Sequence, residues 1–232
     1  MKPFHSEPSK LAFTLRALAW LLRYPDAGLR AALAPLGAAL HDEGALEAAR
    51  LAELDTLMRR LATAPGLRVE AEYVELFDRG RRTALHLFEH VHGDSRDRGP
   101  AMVDLAQTYE RAGLQFAAGE LPDYLPVVLE FASTQPPEQA RDFLREIAQI
   151  VRAIFSALLE RESPYASVLA AVLDLAGERA EKVPLPAEPA MDEIWAEPEA
   201  FGGCNSDGQL RPGDVKPVHV VRPARAPNRA AA

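Results

Sequence analysis

Apolar side chains recur every three or four residues from near the start of the chain to about residue 182. That period is typical of amphipathic α-helices, and no alternating run of β-branched residues indicates a strand. The pattern therefore predicts an all-α fold. Pro122 stands where a first-turn proline is tolerated, ahead of an apolar face from Leu125 to Ala132. The other helices are expected at 10–24, 27–41, 45–63, 67–77, 82–92, 98–112, 137–161 and 164–180.

The composition changes after Val183. Residues 184–232 are rich in proline, hold few large apolar side chains, and have an acidic half followed by a basic half. Such a segment cannot bury enough apolar surface to offset the entropy lost on ordering. We therefore predict a helical domain at 1–183 and a disordered tail at 184–232, which carries the single cysteine, Cys204.

The overall composition is that of an ordinary globular protein, with 48% hydrophobic and 26% charged residues in 232. No apolar run is long enough to cross a bilayer, and the first residues lack the pattern of a secretory signal, so we expect a cytoplasmic protein without membrane insertion. A net charge of −8 argues against a nucleic-acid partner. One cysteine excludes an internal disulfide and a zinc site closed by several thiolates.

One short motif suggests metal chemistry. His86-Leu87-Phe88-Glu89-His90 has the HxxEH spacing of one class of zinc peptidase. On the predicted helix 82–92, His86, Glu89 and His90 lie on a polar face, opposite an apolar one. A zinc peptidase also needs a third protein ligand, and the sequence offers only unremarkable carboxylates for that role. We favour a solvated helix face and predict neither a metal site nor a catalytic residue.

The link that follows concentrates charge between two apolar helices. Asp94, Arg96, Asp97 and Arg98 alternate in sign within five residues. One interpretation is a turn stabilised by a helix cap and ion pairs, as interhelical turns often are. The other is the rim of a site for an anion or a peptide, since guanidinium groups suit carboxylate and phosphate partners. The sequence leaves both open.

Longer blocks carry a family resemblance. LHLFEHVHGDSRDRGPAMVDL, YERAGL and ELPDYLPVVLEF fill most of residues 85–131, and LLRYPD stands at 21–26. These blocks resemble the NarJ-type (delta-subunit) assembly chaperones of respiratory nitrate reductase, within the wider TorD-like family of redox-enzyme maturation chaperones. The resemblance implies a single TorD-like domain of about eight helices that is not an enzyme and holds no cofactor. It also implies that HLFEH is an ordinary family motif rather than a zinc site.

The resemblance implies a function as well. Chaperones of this family bind the apo catalytic (alpha) subunit of the reductase, notably its N-terminal segment, and keep it competent for molybdenum cofactor insertion before membrane attachment. Cofactor-insertion proteins are implied as transient partners. An amphipathic client helix would lie in an apolar groove, with acidic side chains at the rim attracting a basic segment. The expected rim acids are Glu89, Asp94, Asp97, Glu120 and Asp123.

The implied docking surface comprises residues from 86–98 and 120–131. Related chaperones have an Asp-His pair where this chain has Asp123-Tyr124, which removes an imidazole but leaves a hydroxyl that donates one hydrogen bond. Leu125 and Val128 fit either the core or the groove, and the core is favoured. The candidate client-binding residues are His86, Glu89, His90, Asp94, Arg96, Asp97, Arg98, Glu120, Pro122, Asp123, Tyr124, Leu125 and Val128.

A second class of function remains open from the sequence. The domain would bind a small anionic ligand, a molybdopterin or a nucleotide, for cofactor delivery, with Arg96 and Arg98 as clamps. No GxxxxGK[ST] loop supports this alternative.

Overall fold

The structure, a computed structural model, describes residues 11–92, 96–115 and 119–185. The predicted all-α fold is confirmed, because every secondary-structure element longer than a single bridge in these ranges is helical. The predicted tail, with Cys204, lies outside the described residues except for its first two positions. The α-helices are α1 Ala12–Leu21, α2 Ala27–Glu43, α3 Ala48–Thr63, α4 Gly66–Tyr73, α5 Leu87–Val91, α6 Arg98–Arg111, α7 Leu125–Thr134, α8 Pro137–Glu160 and α9 Ala166–Leu175.

Two apolar helices form the centre of the core. α1 packs against α7, α2 and α9, and α9 packs along α8. In α9 every residue except Asp174 is buried, as expected for a helix that is apolar on all sides. α8 is instead amphipathic, with Val151, Ile154 and Leu158 buried and Leu159 41% exposed. No helix among the described residues has the length and apolar character needed to cross a membrane.

Two non-α helical turns, first a wide one and then a tight one, connect α4 to α5. α4 continues into a π-helical turn, Val74–Asp78, and a 3₁₀ turn follows at Arg81–Thr83. Gly80 joins the two turns, and a Cβ at this position would overlap Thr83 Oγ1 and the Leu76 carbonyl oxygen. The close approach of these atoms explains why glycine occupies the position.

The predicted helix 82–92 is wrong in its first half. His86 has extended backbone angles (φ −87°, ψ 105°) and forms an isolated antiparallel bridge with Tyr124. The Leu87 N–H donates to the Asp123 carbonyl at 3.0 Å, and the Leu125 N–H donates to the Leu85 carbonyl at 2.9 Å. These long-range bonds replace helical ones, so α5 begins only at Leu87. Pro122 likewise precedes α7 instead of standing in its first turn.

Candidate functional site

Asp123 lies at the meeting point of three segments. Its side chain is 0% exposed. One carboxylate oxygen accepts from the Phe88 backbone N–H at 3.1 Å and lies 3.8 Å from Arg98 Nη2. The other lies 3.3 Å from His86 Nδ1. The expectation that Asp123 is a rim acid is therefore wrong, because its carboxylate is enclosed by these donors and fixes α5 and the start of α6.

Tyr124 joins His86 to the core. The rings of His86 and Tyr124 stack with their centroids 5.2 Å apart. The Tyr124 and Tyr73 hydroxyl oxygens lie 3.3 Å apart, and Tyr73 donates to the Leu22 carbonyl at 2.7 Å. Since Tyr73 has one hydroxyl proton and gives it to Leu22, Tyr124 donates to Tyr73. Tyr124, which stands where related chaperones have histidine, therefore donates one hydrogen bond, as expected, and its acceptor is the Tyr73 hydroxyl.

The HxxEH side chains do not share one helix face, so that prediction is wrong. His86 precedes the helix, whereas His90 is half-buried and its Nε2 donates to the Ala84 carbonyl at 2.8 Å. Glu89 is exposed and lies 3.4 Å from Arg98 Nη2. Across 11–92, 96–115 and 119–185, no group of three or more His, Cys, Asp or Glu side chains is arranged to hold a metal ion.

α6 is attached to the domain mainly through its two ends. Of its residues only Tyr109 is buried. The Tyr109 ring packs on Phe131 with centroids 4.5 Å apart, and its hydroxyl donates to the Pro122 carbonyl at 3.1 Å. At the other end Arg98 reaches Asp123 and Glu89. Burial of the Tyr109 hydroxyl raises its pKa. The stretch between these two attachments thus lies at the surface of the domain, with Val103 exposed and Leu105 partly buried against the cluster of Tyr109 and Phe131.

Each of the three segments near Asp123 carries one exposed large apolar side chain. Val91 ends α5 and is 56% exposed, Val103 lies in α6 and is 54% exposed, and Leu121 precedes Asp123 and is 44% exposed. We call these three residues the α5–α6 surface. Four other apolar residues of α6, Ala101, Met102, Leu105 and Ala106, are half-buried.

The other candidates fall into separate environments. Arg96 and Asp97 are exposed in the turn before α6, and Asp94 lies outside the described residues. Glu120 is exposed and lies 3.9 Å from Arg23 Nη2.

Three further candidates are buried. Pro122 is enclosed, and Leu125 and Val128 are 0% and 1% exposed. Leu125 and Val128 therefore belong to the core, the position favoured for them, and neither is open to a partner in this structure.

The sequence reasoning missed three exposed aromatic side chains, two on α1 and one shortly after it. Phe13, Trp20 and Tyr24 are 50%, 37% and 45% exposed. Arg23 stands 5.5 Å from the Trp20 ring centroid and forms an ion pair with Glu130 at 2.9 Å. The spacing of seven between Phe13 and Trp20 was the available signal, since it places both on one face of α1.

The comparisons with known proteins agree with the fold and with the resemblance. The family model "Nitrate reductase delta subunit" matches residues 24–171. NarJ of Escherichia coli (strain K12), named as a nitrate reductase molybdenum cofactor assembly chaperone, is 41% identical over 198 residues, which are 79% of this chain and 84% of NarJ. NarW of the same strain is 49% identical over 124 residues, covering 53% of this chain and 54% of NarW.

A solved structure extends the agreement to the fold. A crystal structure from Archaeoglobus fulgidus, described as that of a redox enzyme maturation protein, superposes with a TM-score of 0.52 at 21% identity. The superposition covers 76% of this chain and 100% of the Archaeoglobus fulgidus chain. The predicted family is confirmed, and NarJ is named as an assembly chaperone and not as a catalyst, in agreement with the expectation of a non-enzyme. Because the family model matches residues 24–171 and NarJ is 41% identical over 198 residues, this chain belongs to the nitrate reductase delta subunit family.

Proposed function

We propose that this chain is a system-specific chaperone that binds the apo catalytic (alpha) subunit of respiratory nitrate reductase, notably its N-terminal segment. It keeps that subunit competent for molybdenum cofactor insertion and membrane assembly. The observation that carries the proposal is the 41% identity to a named nitrate reductase cofactor assembly chaperone across 84% of that protein. Cofactor-insertion proteins are proposed as transient partners.

The weak attachment of α6 supports a docking role for the α5–α6 surface. In this 14-residue helix one side chain is buried, and Val103 is 54% exposed and available to a partner. An amphipathic helix placed against Val91, Val103 and Leu121 would remove that area from water, and each large side chain fully buried contributes about 1.5–3 kcal/mol. The exposed carboxylates of Glu89 and Glu120 are placed to attract a basic client segment.

The proposal is tested by titrating the full chain with a peptide copying the N-terminus of the catalytic subunit in a calorimeter. We expect saturable binding, weakened at least about tenfold by Val103→Asp or Leu121→Asp, because each places a carboxylate in the apolar contact. Leu159→Asp is the matched control, since Leu159 is similarly exposed but lies on α8. Absence of peptide binding to the unmodified, folded chain would refute the client role. Equal losses in all three variants would refute the α5–α6 surface.

The small-ligand alternative lacks a specific observation in its favour. The Arg98 guanidinium, one of its two clamps, already contacts the carboxylates of Asp123 and Glu89. A nucleotide added alone is therefore the control ligand in the titration, and we expect it to produce no saturable heat.

A further inference from the structure

A groove of about 330 Å³ lies between Tyr24 and the outer side of α4 with the π-helical turn. Leu67, Ala71 and Val74 form its apolar part, and Glu70 and Glu75 add carboxylates. Leu67 is 83% exposed, the largest value among the exposed large apolar residues of the described ranges. None of these residues belongs to the α5–α6 surface.

Leu67 contributes little to the fold. α4 buries Val69 and Tyr73, and Leu67 points away from them. A single exposed leucine is ordinary on a protein surface. Here, however, Leu67 lines the same groove as Tyr24, which is 45% exposed, and as Val74. Several apolar side chains in one concave surface favour a partner contact.

The groove carries an excess of negative charge. The Tyr24 hydroxyl donates to Glu70 Oε2 at 3.1 Å. Partial burial of Tyr24 and the nearby carboxylates of Glu70, Asp26 and Asp78 raise the pKa of its hydroxyl. The cation that lines the groove in the described structure, Arg79, is paired with Glu75 at 3.1 Å. A partner with lysine or arginine side chains would complement this charge.

Aromatic contacts connect the groove to the candidate site. The Tyr24 and Tyr73 rings meet edge to face with centroids 5.7 Å apart. Tyr73 in turn meets Tyr124 through their hydroxyl groups, and Tyr124 stacks on His86. Three residue contacts therefore connect Tyr24 in the groove to His86, and His86 in turn contacts Asp123.

We propose that this groove is a second docking site for the same client, and that it takes a positively charged amphipathic segment. An apolar side chain of that segment packs on Leu67 and Val74, and a lysine or arginine contacts Glu70. The inference rests on the proposed function, because it takes the reductase catalytic subunit as the client. A second copy of this chain is a poorer occupant, since each copy carries a net charge of −8.

Site-specific photo-crosslinking tests the groove. A photoreactive amino acid replaces Leu67 in one variant of the full chain and Leu159 in a control, and each is illuminated after co-purification with the apo catalytic subunit. We expect residue 67 to crosslink to the catalytic subunit, at a peptide containing lysine or arginine, with at least about fivefold higher yield than residue 159. Crosslinking of residue 67 to another copy of this chain, or no crosslink in a complex that does form, would overturn the inference.

Charge reversal provides an independent readout. Glu70→Lys is expected to weaken binding of the full catalytic subunit at least about fivefold, and less so at high salt, because screening reduces the lost attraction. Glu146→Lys, the same change on the exposed side of α8, is expected to alter affinity by less than about twofold. Equal effects would overturn the inference while leaving the proposed function intact. If no complex forms even with the unmodified chain, the proposed function itself fails, and the inference fails with it.

Discussion

The carboxylate of Asp123 accepts a hydrogen bond from the backbone N–H of Phe88, 35 residues earlier in the chain. α5 has no side-chain cap from its own preceding residue, His86. Asp123 thus satisfies one of the N–H groups left free at the start of a helix, and its carbonyl satisfies that of Leu87. A buried acid from a distant segment takes the place of a local N-cap.

Asp123→Asn is expected to lower the free energy of unfolding by about 1.5–3 kcal/mol, because hydrogen bonds to a buried carboxylate are lost or weakened. Urea unfolding followed by circular dichroism measures the change. Asp142→Asn is the matched control, since the Asp142 side chain is 70% exposed and pairs only with Arg145 three residues away among the described residues. A loss of stability no larger than that of the control would show that the Asp123 contacts are not stabilising.

Two buried tyrosines form a second matched pair. Tyr73→Phe removes the donor to the Leu22 carbonyl and the acceptor for Tyr124, so we expect a loss of about 1–3 kcal/mol in thermal or urea unfolding. The Tyr165 hydroxyl is buried with no hydrogen-bond partner in the described structure. Tyr165→Phe is therefore expected to be neutral or slightly stabilising. Similar losses in both variants would contradict the hydrogen-bond assignment.

Alkaline pH should destabilise the fold. Burial raises the pKa of Tyr73, Tyr109 and Tyr165 above the ordinary value of 10.0. Above pH 10 the unfolded chain releases these protons while the folded chain retains them, so the free energy of unfolding falls as pH rises. These three groups together give a slope that approaches about 4 kcal/mol per pH unit. The raised pKa values of Tyr24 and Tyr124 add to it in the same direction. Urea titrations between pH 9 and pH 11.5 measure it.

Tyr73→Phe serves as the variant for this pH measurement. One fewer buried tyrosine should reduce the slope by up to about 1.4 kcal/mol per pH unit. An unchanged slope would mean that Tyr73 ionises equally in the folded and unfolded chains.

Gly80→Ala is expected to lower stability by about 1–3 kcal/mol, because the new methyl group overlaps Thr83 Oγ1 and the Leu76 carbonyl oxygen. Gly99→Ala adds the same methyl group where nothing lies within 4 Å, in the first turn of α6. That control is expected to be neutral or to stabilise by up to about 1 kcal/mol. Thermal unfolding of the two variants beside the parent measures both effects, and a tolerated Gly80→Ala would disprove the close approach.

Zinc should leave the protein unaffected. His86 and His90 lie in different local structures, and His90 Nε2 already donates to a backbone carbonyl. Zinc in excess is therefore expected to change the melting temperature by less than about 1 °C, whereas saturating a tight site would raise it by several degrees. A rise of that size, abolished by His86→Ala, would restore the metal interpretation of HxxEH.

Most of the helical architecture was accessible from periodicity alone. A helix that buries one stripe of apolar side chains shows that stripe in its local sequence. The helix predicted at 137–161 is observed at Pro137–Glu160, and the one predicted at 45–63 is observed at Ala48–Thr63. The segment 82–92 failed because its conformation is set by the bridge between His86 and Tyr124, a pairing over 38 positions that no local pattern reports. Periodicity therefore predicts a helix at this segment but gives no information on Tyr124, the bridge partner that interrupts it.

The candidate site was less predictable. Acidic residues are usually exposed, so Asp123 was expected at the rim. Its burial depends on donors from two other segments, the 86–88 stretch and Arg98, and sequence spacing alone does not bring these together. The exposure of Leu67 was not predictable for a similar reason, since it depends on where the neighbouring helices pack.

Both ends of α6 are tied to one dipeptide, because Tyr109 bonds to Pro122 and Arg98 reaches Asp123. The same dipeptide holds the first two N–H groups of α5. Release of Pro122 and Asp123 would remove these polar attachments of α5 and α6 together, leaving α5 held by the buried Leu87 and α6 by the packing of Tyr109 on Phe131. The amide hydrogens of the two helices should therefore exchange with solvent as one cooperative unit, at a lower free energy than global unfolding.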